Sequence, residues 1–173
     1  MSEMNSDELD ALIEYMIPLV KSCLGSRDAH QLKEVMFDLK TIINSDLVDS
    51  DDETALENRI RIYGLIKIAC SYYTLGLESD KMTYWEACRN RNLKGELEED
   101  KVSPDLIEGF NQTFSVLDEF DRSIVILKIR YNASDFEISK IVSIEEVEIN
   151  EFINEAMSLF YMELKKQGFQ IEE

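Results

Sequence analysis

A short stretch near the C-terminus decides the fold: 137-EISKIVSIEEVEINEFINEA-156. Ser134 lies three residues before Glu137, and Ser143 lies three residues before Glu146. This is the spacing of a capping box, in which a serine hydroxyl and a glutamate satisfy free N–H groups at the start of a helix. Two helix starts that are nine residues apart leave room for a short helix, a tight turn and a second helix. The stretch therefore predicts a helix-turn-helix within an all-α fold.

The second of these predicted helices is acidic where a DNA-reading helix needs cations. From Ser134 to Ala156 there are seven acidic residues and one basic residue, Lys140. Phosphate contacts depend on Lys and Arg, so we expect weak or absent binding of duplex DNA. The asparagines of this helix could still hydrogen-bond adenine edges. The alternative is a solvated face whose first glutamates favour the helix N-terminus. The predicted outward positions are Glu148, Asn150, Glu151, Asn154 and Glu155; the predicted inward positions are Ile149, Phe152, Ile153, Ala156, Phe160 and Leu164.

The bulk composition agrees with a folded helical protein. The 173 residues include 45% apolar residues, 6 Gly and 2 Pro, which is too few turn residues for a fold of many short strands. The formal net charge of −18 favours a basic protein as partner over a nucleic acid, with solubility alone as the alternative. Cys23, Cys70 and Cys88 contain no CxxC pair and predict buried thiols in a reducing cytoplasm. The start of the sequence lacks the features of a signal peptide, and no apolar run is long enough to span a bilayer.

Hydrophobic spacing divides the chain into two small helical domains, 6–89 and 103–168, joined by a polar linker at 90–102. Apolar residues at intervals of three and four predict a first helix from Ser6, which Pro18 should kink or divide and Gly25 should end. A second helix is predicted to begin at about Asp28. An acidic loop is predicted at 44–53, and a third helix at about 56–73. In the second domain, Asp121 is predicted to open a helix over 123–131.

The sequence resembles the small, two-domain sigma factors of bacterial RNA polymerase. Leu117-Asp-Glu-Phe-Asp-Arg122 is similar to the segment before the first long helix of the family's C-terminal domain, region 4. Ser134, Glu137 and Ile138 then match that family's "S..EIA" pattern, with Ser139 in place of Ala. In the N-terminal part, Gly25-Ser-Arg-Asp-Ala29 and the helix after it resemble the polymerase-binding helices of region 2.

This resemblance implies two further sets of site residues. The region 2 likeness implies a contact with core polymerase or an anti-sigma factor through Asp28, Gln31, Leu32, Glu34 and Phe37. The helix that resembles the family's promoter-melting helix offers four candidates for single-strand contact, Arg61, Lys67, Tyr72 and Tyr73. The alternative for these tyrosines is a place in the core or rim of a helical bundle.

Three functions follow as expectations. The first is a sigma-factor-like transcription regulator that acts mainly through protein contacts, with weakened DNA reading. The second is a working sigma factor that directs promoter-specific initiation, and the third is a helical interaction module with no role in transcription. We expect no enzyme activity, no cofactor and no metal site, because the chain has a single histidine and lacks a phosphate-binding loop and a Cys–His pairing.

Overall fold

The computed structural model describes residues 6–25, 29–46, 55–74, 80–81, 83–84 and 104–170. The secondary structure in these ranges is helical, which confirms the predicted all-α class. The described residues form seven helices: α1 Ser6–Leu24, α2 Ala29–Asp46, α3 Ala55–Thr74, α4 Pro104–Val116, α5 Glu119–Ile129, α6 Asp135–Val142 and α7 Glu146–Lys166.

The chain separates into two compact units, Met1–Asn90 and Arg91–Glu173. The predicted linker 90–102 lies outside the described residues, so the domain limits proposed from the sequence stay a prediction. α1, α2 and α3 belong to the first unit, and α4 to α7 belong to the second.

In the first unit, α1, α2 and α3 pack against one another in all three pairs. The buried residues follow the apolar stripes of the sequence. Met16 and Leu19 of α1, Leu39 of α2, and Tyr63 and Ile66 of α3 are all completely buried. These three stripes form the core that holds the unit together.

Pro18 was expected to kink or divide the first helix, and the division is wrong. α1 is assigned as one helix from Ser6 to Leu24, with Pro18 inside it. Proline removes one backbone hydrogen bond, but Met16 before it and Leu19 and Val20 after it are all fully buried. Because helix stability in proteins comes mostly from tertiary packing, burial on both sides of Pro18 maintains the helix. Gly25 ends α1 as predicted, with φ at +69°.

In the second unit, α7 is the central helix and packs against α4, α5 and α6. One side of it is buried along its whole length. The ring of Phe160 lies 5.4 Å from that of Phe114 and 5.6 Å from that of Phe110, both on α4. The buried residues of α7 are Ile149, Ile153, Ala156, Phe160 and Leu164.

Two further contacts attach α4 to the rest of this unit, besides the ring contacts with Phe160. The guanidinium of Arg122 donates to the carbonyls of Phe114 and Leu117, at 3.0 and 2.9 Å, and so satisfies free carbonyls at the end of α4. After α7, the chain turns back at Gly168 and places the Phe169 ring on Gly109. A Cβ atom at position 109 would lie 2.1 Å from that ring, so only glycine allows this approach.

The start of α5 and the end of α2 differ from the prediction. α5 begins at Glu119 rather than at Asp121, because the Asp118 carboxylate caps it and accepts from the backbone N–H of Asp121 at 2.8 Å. Residues 44–46, predicted as the start of an acidic loop, belong to α2, which continues to Asp46; the rest of that predicted loop, 47–53, lies outside the described residues.

Candidate functional site

The two predicted capping boxes have different outcomes. At Ser134 the box is present: its N–H donates to the Glu137 carboxylate at 2.8 Å, and the N–H of Glu137 donates to the Ser134 hydroxyl at 3.2 Å. At Ser143 the prediction is wrong. Ser143 ends α6 in the left-handed conformation, with φ at 60°, and α7 begins one residue after Glu145, which makes no side-chain cap.

The reason is that Ser143 is the C-cap residue of α6 and cannot at the same time be the N-cap residue of α7. The backbone N–H of Ile144 donates back to the Ser139 carbonyl at 3.1 Å, which closes α6, and only three residues, 143–145, separate it from α7. α6 and α7 are therefore joined by a tight turn, and both contribute buried residues to one core. Glu137, which closes the cap at Ser134, is itself only 5% exposed.

The five residues predicted as the reading face of α7 are all exposed, but they do not share one side of the helix. At about 100° per residue, Glu148, Glu151 and Glu155 form one stripe. Asn150 and Asn154 lie one turn apart on a flank roughly 100° away from that stripe. The carboxylates and the amides therefore face different directions. A partner that binds the carboxylate stripe does not need to contact the two asparagines.

The carboxylate stripe is strongly negative. No ion pair joins Glu148, Glu151 or Glu155 to a Lys or Arg among the residues that the structure describes. Asp121 at the start of α5 adds to this charge. Its pKa lies above the ordinary 3.8, first because it is partly buried and then because the carboxylates of Asp118 and Glu155 lie close by. Carboxylates of two helices, α5 and α7, thus face the same side of the unit.

Exposed apolar side chains that the sequence pattern did not predict lie beside these carboxylates. Phe152 was predicted to point inward, but it is 37% exposed and meets the Phe120 ring edge to face at 5.7 Å. Leu159 and Met162 of the next turns are 39% and 46% exposed. The signal was present in the sequence, because apolar residues at 152, 159 and 162 are more than one buried stripe of a helix can hold.

On α2, the residues predicted to contact polymerase or an anti-sigma factor have very different environments. Gln31 and Leu32 are half-buried, whereas Glu34 is exposed and lies 3.7 Å from His30. Phe37 is 71% exposed, which is unusual for a side chain of this size. Asp28, the remaining predicted contact residue, lies outside the described residues.

The candidates for single-strand contact on α3 are engaged in contacts within the first unit. Arg61 donates to Asn58 at 3.2 Å, and the Lys67 ammonium lies 5.8 Å from the ring centre of the buried Tyr63. By helical spacing, Arg61 and Tyr72 share one side of α3, while Lys67 lies roughly 120° from them around the axis.

Tyr73 belongs to a polar triad that links three segments. Its hydroxyl donates to the buried Asp38 carboxylate of α2 at 2.5 Å, and Lys81 donates to the same hydroxyl at 2.8 Å. Burial, followed by the bond to Asp38, raises the pKa of Tyr73 to about 12. Tyr72 meets the Tyr73 ring edge to face at 5.5 Å and lies 5.7 Å from the Tyr84 ring.

The described ranges contain neither a metal-binding cluster nor a membrane-spanning helix. No group of three or more His, Cys, Asp or Glu side chains there is placed to hold a metal ion. None of the helices in these ranges combines the length and the apolar character needed to cross a membrane.

No protein-family model, curated protein or solved structure matches this chain. Its function has to be inferred from its own surfaces.

Proposed function

We propose that this chain is a sigma-factor-like transcription regulator that acts mainly through contacts with proteins. The observation that carries the proposal is the acidic outer side of α7. This helix follows α6 after a tight turn, as the helix-turn-helix hypothesis requires of a reading helix, yet its stripe of Glu148, Glu151 and Glu155 meets no cation among the described residues. Phosphate contacts stabilise a protein–DNA complex through Lys and Arg, and the net charge of −18 opposes the approach of DNA.

The proposed contact with core polymerase or an anti-sigma factor lies on α2. Phe37 exposes a large aromatic ring on the helix that resembles the polymerase-binding helix of sigma factors, and Glu34 lies on the same side one turn earlier. Buried aromatic anchors contribute most of the affinity in many interfaces, so an exposed one in a free protein is a good candidate. The acidic second unit then does not bind DNA itself. Either a partner protein binds the DNA, or the chain is a decoy that occupies an anti-sigma factor and no DNA binding is needed.

The test uses the purified full chain, core RNA polymerase and the anti-sigma factors of the same bacterium. We expect one of these proteins to bind, and Phe37→Ala to weaken that binding about tenfold. Tyr161→Ala, which removes an exposed aromatic ring from the second unit, is the control and should leave it unchanged. The proposal fails if neither class of protein binds the full chain.

A second candidate is a working sigma factor, favoured by the tyrosines of the first unit. Tyr72 and Tyr84 lie beside each other, and the Lys81 ammonium is 5.9 Å from the Tyr72 ring centre. Aromatic rings next to a cation can stack and hold unpaired bases. Transcription in vitro with core polymerase distinguishes the two candidates. Promoter-specific transcripts that depend on Tyr72 would favour this second function, and their absence together with protein binding would favour the first.

Duplex DNA binding by the full chain gives an independent measurement. Fluorescence anisotropy with a labelled duplex should show no binding at physiological salt. The variant Glu148→Lys/Glu151→Lys/Glu155→Lys should gain weak, salt-sensitive binding, because counterion release then becomes available. Salt-sensitive binding by the unchanged chain would contradict the proposed loss of DNA reading.

A further inference from the structure

The surface formed by α5 and α7 has an apolar centre and a charged rim. Phe120 and Phe152 meet edge to face, with ring centres 5.7 Å apart, and Phe152 keeps 37% of its surface exposed. Glu148, Glu151 and Glu155 lie beside Phe152 on the solvent side of α7, and Glu155 is close enough to Asp121 of α5 to raise its pKa. We name this surface the acidic–aromatic face, and it consists of Phe120, Asp121, Glu148, Glu151, Phe152 and Glu155.

The arrangement matches the anatomy of a protein interface. Interfaces concentrate affinity in a few aromatic or apolar anchors that water cannot reach, and charged residues at the rim guide the approach of the partner. Here the anchor pair is partly accessible, and Leu159, which is 39% exposed, adds an apolar side chain about two turns further along α7. From Glu148 to Leu159 the surface runs along about 16 Å of helix, which three turns of a second helix would cover.

The charge selects the class of occupant. The rim carboxylates repel phosphate, so they exclude nucleic acid and anionic membranes. A second copy of the chain would bring its own net charge of −18 and is also repelled. The apolar centre needs an apolar side chain opposite it, and the rim needs Lys or Arg. A helix with an apolar stripe flanked by cations supplies both.

We propose that the acidic–aromatic face binds a basic amphipathic helix of a partner protein. An apolar side chain of that helix packs on the Phe120–Phe152 pair and Leu159, while its Lys or Arg side chains lie against Glu148, Glu151 and Glu155. This inference deepens the proposed function and rests on it in one respect, that the second unit works through protein contacts. The Lys or Arg side chains of the bound helix would also reduce the repulsion between Asp121 and Glu155.

The test measures binding of a synthetic 18-residue peptide, with Leu and Lys at helical spacing, to the full chain by calorimetry. Phe152→Ala should weaken binding about tenfold, because it removes the exposed anchor. Tyr161→Ala is the matched control: it removes an aromatic ring of similar exposure, 39%, that lies roughly 120° around α7 from Glu155, and it should have no effect.

A second pair of variants tests the rim without disturbing the core. Glu151→Gln/Glu155→Gln should weaken binding about fivefold at low salt, as expected for two exposed ion pairs. Asp105→Asn/Glu108→Gln removes the same charge from the exposed surface of α4 and should leave binding within about twofold. Circular dichroism melts check whether all four variants remain folded. If Phe152→Ala unfolds, the rim variants alone decide the test.

If the two charge variants lose equal amounts of peptide affinity, the inference is overturned, because the peptide is then attracted to the acidic protein in general and not to this face. Equal binding of a peptide with Ser in place of every Leu would overturn it too, since the apolar centre would then contribute nothing. These outcomes are separate from the test on α2. If polymerase or an anti-sigma factor binds through Phe37 while the peptide fails, the inference falls and the proposed function stands. If the peptide binds as expected while neither protein does, the proposed function falls.

Discussion

Asp121 carries a charge that the folded protein disfavours. Partial burial and the nearby carboxylates of Asp118 and Glu155 raise its pKa above 3.8, so the folded chain binds this proton more readily than the unfolded chain does. For a carboxyl whose folded-state pKa is raised, the folded state loses stability as pH rises from the ordinary value through the raised one. Above that window, the charged carboxylate destabilises the second unit.

We therefore expect Asp121→Asn to raise the melting temperature at pH 7, and the gain to shrink toward pH 3.5. The physical reason is that the amide keeps the shape but removes the repulsion. Asp105→Asn is the control, because Asp105 lies exposed in the first turn of α4, where a negative charge is favourable. It should leave the melting temperature unchanged or lower it slightly. A lower melting temperature for Asp121→Asn at pH 7 would show that its charge is stabilising.

Ser139 stands where the sigma-factor pattern that the sequence resembles has Ala, and it is 4% exposed. Its hydroxyl donates to the Phe136 carbonyl at 2.7 Å, so the buried polar group is satisfied within its own helix.

At the scale of elements, α6 is defined by two serines with opposite roles. Ser134 starts the helix with a capping box, and Ser143 ends it with φ at 60°. Ser134→Ala should lower the free energy of unfolding by about 1 kcal/mol, because a backbone N–H loses its partner. Ser143→Gly should raise it by roughly 0.5–1 kcal/mol, because glycine adopts the left-handed conformation without steric strain.

Chemical denaturation of both variants, followed by circular dichroism, checks this pair. The two serines are a matched set, since both precede a glutamate by three residues. If Ser143→Gly destabilises the chain as much as Ser134→Ala does, Ser143 has a capping role and the turn differs from the one described.

The triad of Asp38, Tyr73 and Lys81 links α2, α3 and the segment after α3. The bond to Tyr73, with a smaller contribution from Asp38, raises the pKa of Lys81 from 10.5 to about 12, and the pKa of Tyr73 also rises to about 12. A Lys with a raised pKa contributes stability below 10.5 and loses it as pH rises through the raised value. A Tyr with a raised pKa also loses its contribution as pH rises, between 10.0 and about 12.

The first unit should therefore lose stability between pH 10 and 12, and Tyr73→Phe should reduce that loss. At pH 8 the same change should lower the free energy of unfolding by roughly 1–3 kcal/mol, because the buried Asp38 carboxylate loses a hydrogen-bond donor. Tyr161→Phe keeps an equal number of tyrosines and should change neither value. Melting curves from pH 8 to 12 measure this loss of stability. If Tyr73→Phe shows the same pH dependence as the unchanged chain, the triad is not the source of the loss.

At the scale of the whole molecule, self-repulsion is the dominant electrostatic property. With 36 acidic and 18 basic residues, the folded chain concentrates negative charge that the unfolded chain spreads out. Screening by salt should relieve this repulsion. We expect the melting temperature to rise by several degrees from low-salt buffer to about 0.5 M sodium chloride, at which the Debye length falls below that of physiological salt.

The neutralised variant Glu148→Gln/Glu151→Gln/Glu155→Gln tests where this repulsion is concentrated. It should melt at a higher temperature than the unchanged chain in low salt and respond less to added salt, because part of the repulsion is gone. An equal response to salt in both proteins would mean that the stripe on α7 contributes no more than any other carboxylates.

The sequence by itself determined the helical class and most of the buried positions. Intervals of three and four residues place Ile149, Ile153 and Ala156 on one side of α7 whatever the packing, because helical periodicity is a local property. The capping box at Ser134 is equally local, since both partners lie within four residues. The acidic character of α7 and the net charge follow directly from composition.

Only the tertiary structure decided the features that involve two elements. Ser143 has the same local pattern as Ser134, but it ends α6 in the left-handed conformation, in the turn that leads into α7. Phe152 fits the inward spacing, yet the position of α5 leaves it partly exposed against Phe120. Tyr73 meets Asp38 across 35 residues of chain, a contact that no local spacing encodes. Sequence patterns report which side of a helix is apolar, whereas the neighbouring helices decide how much of that side is covered.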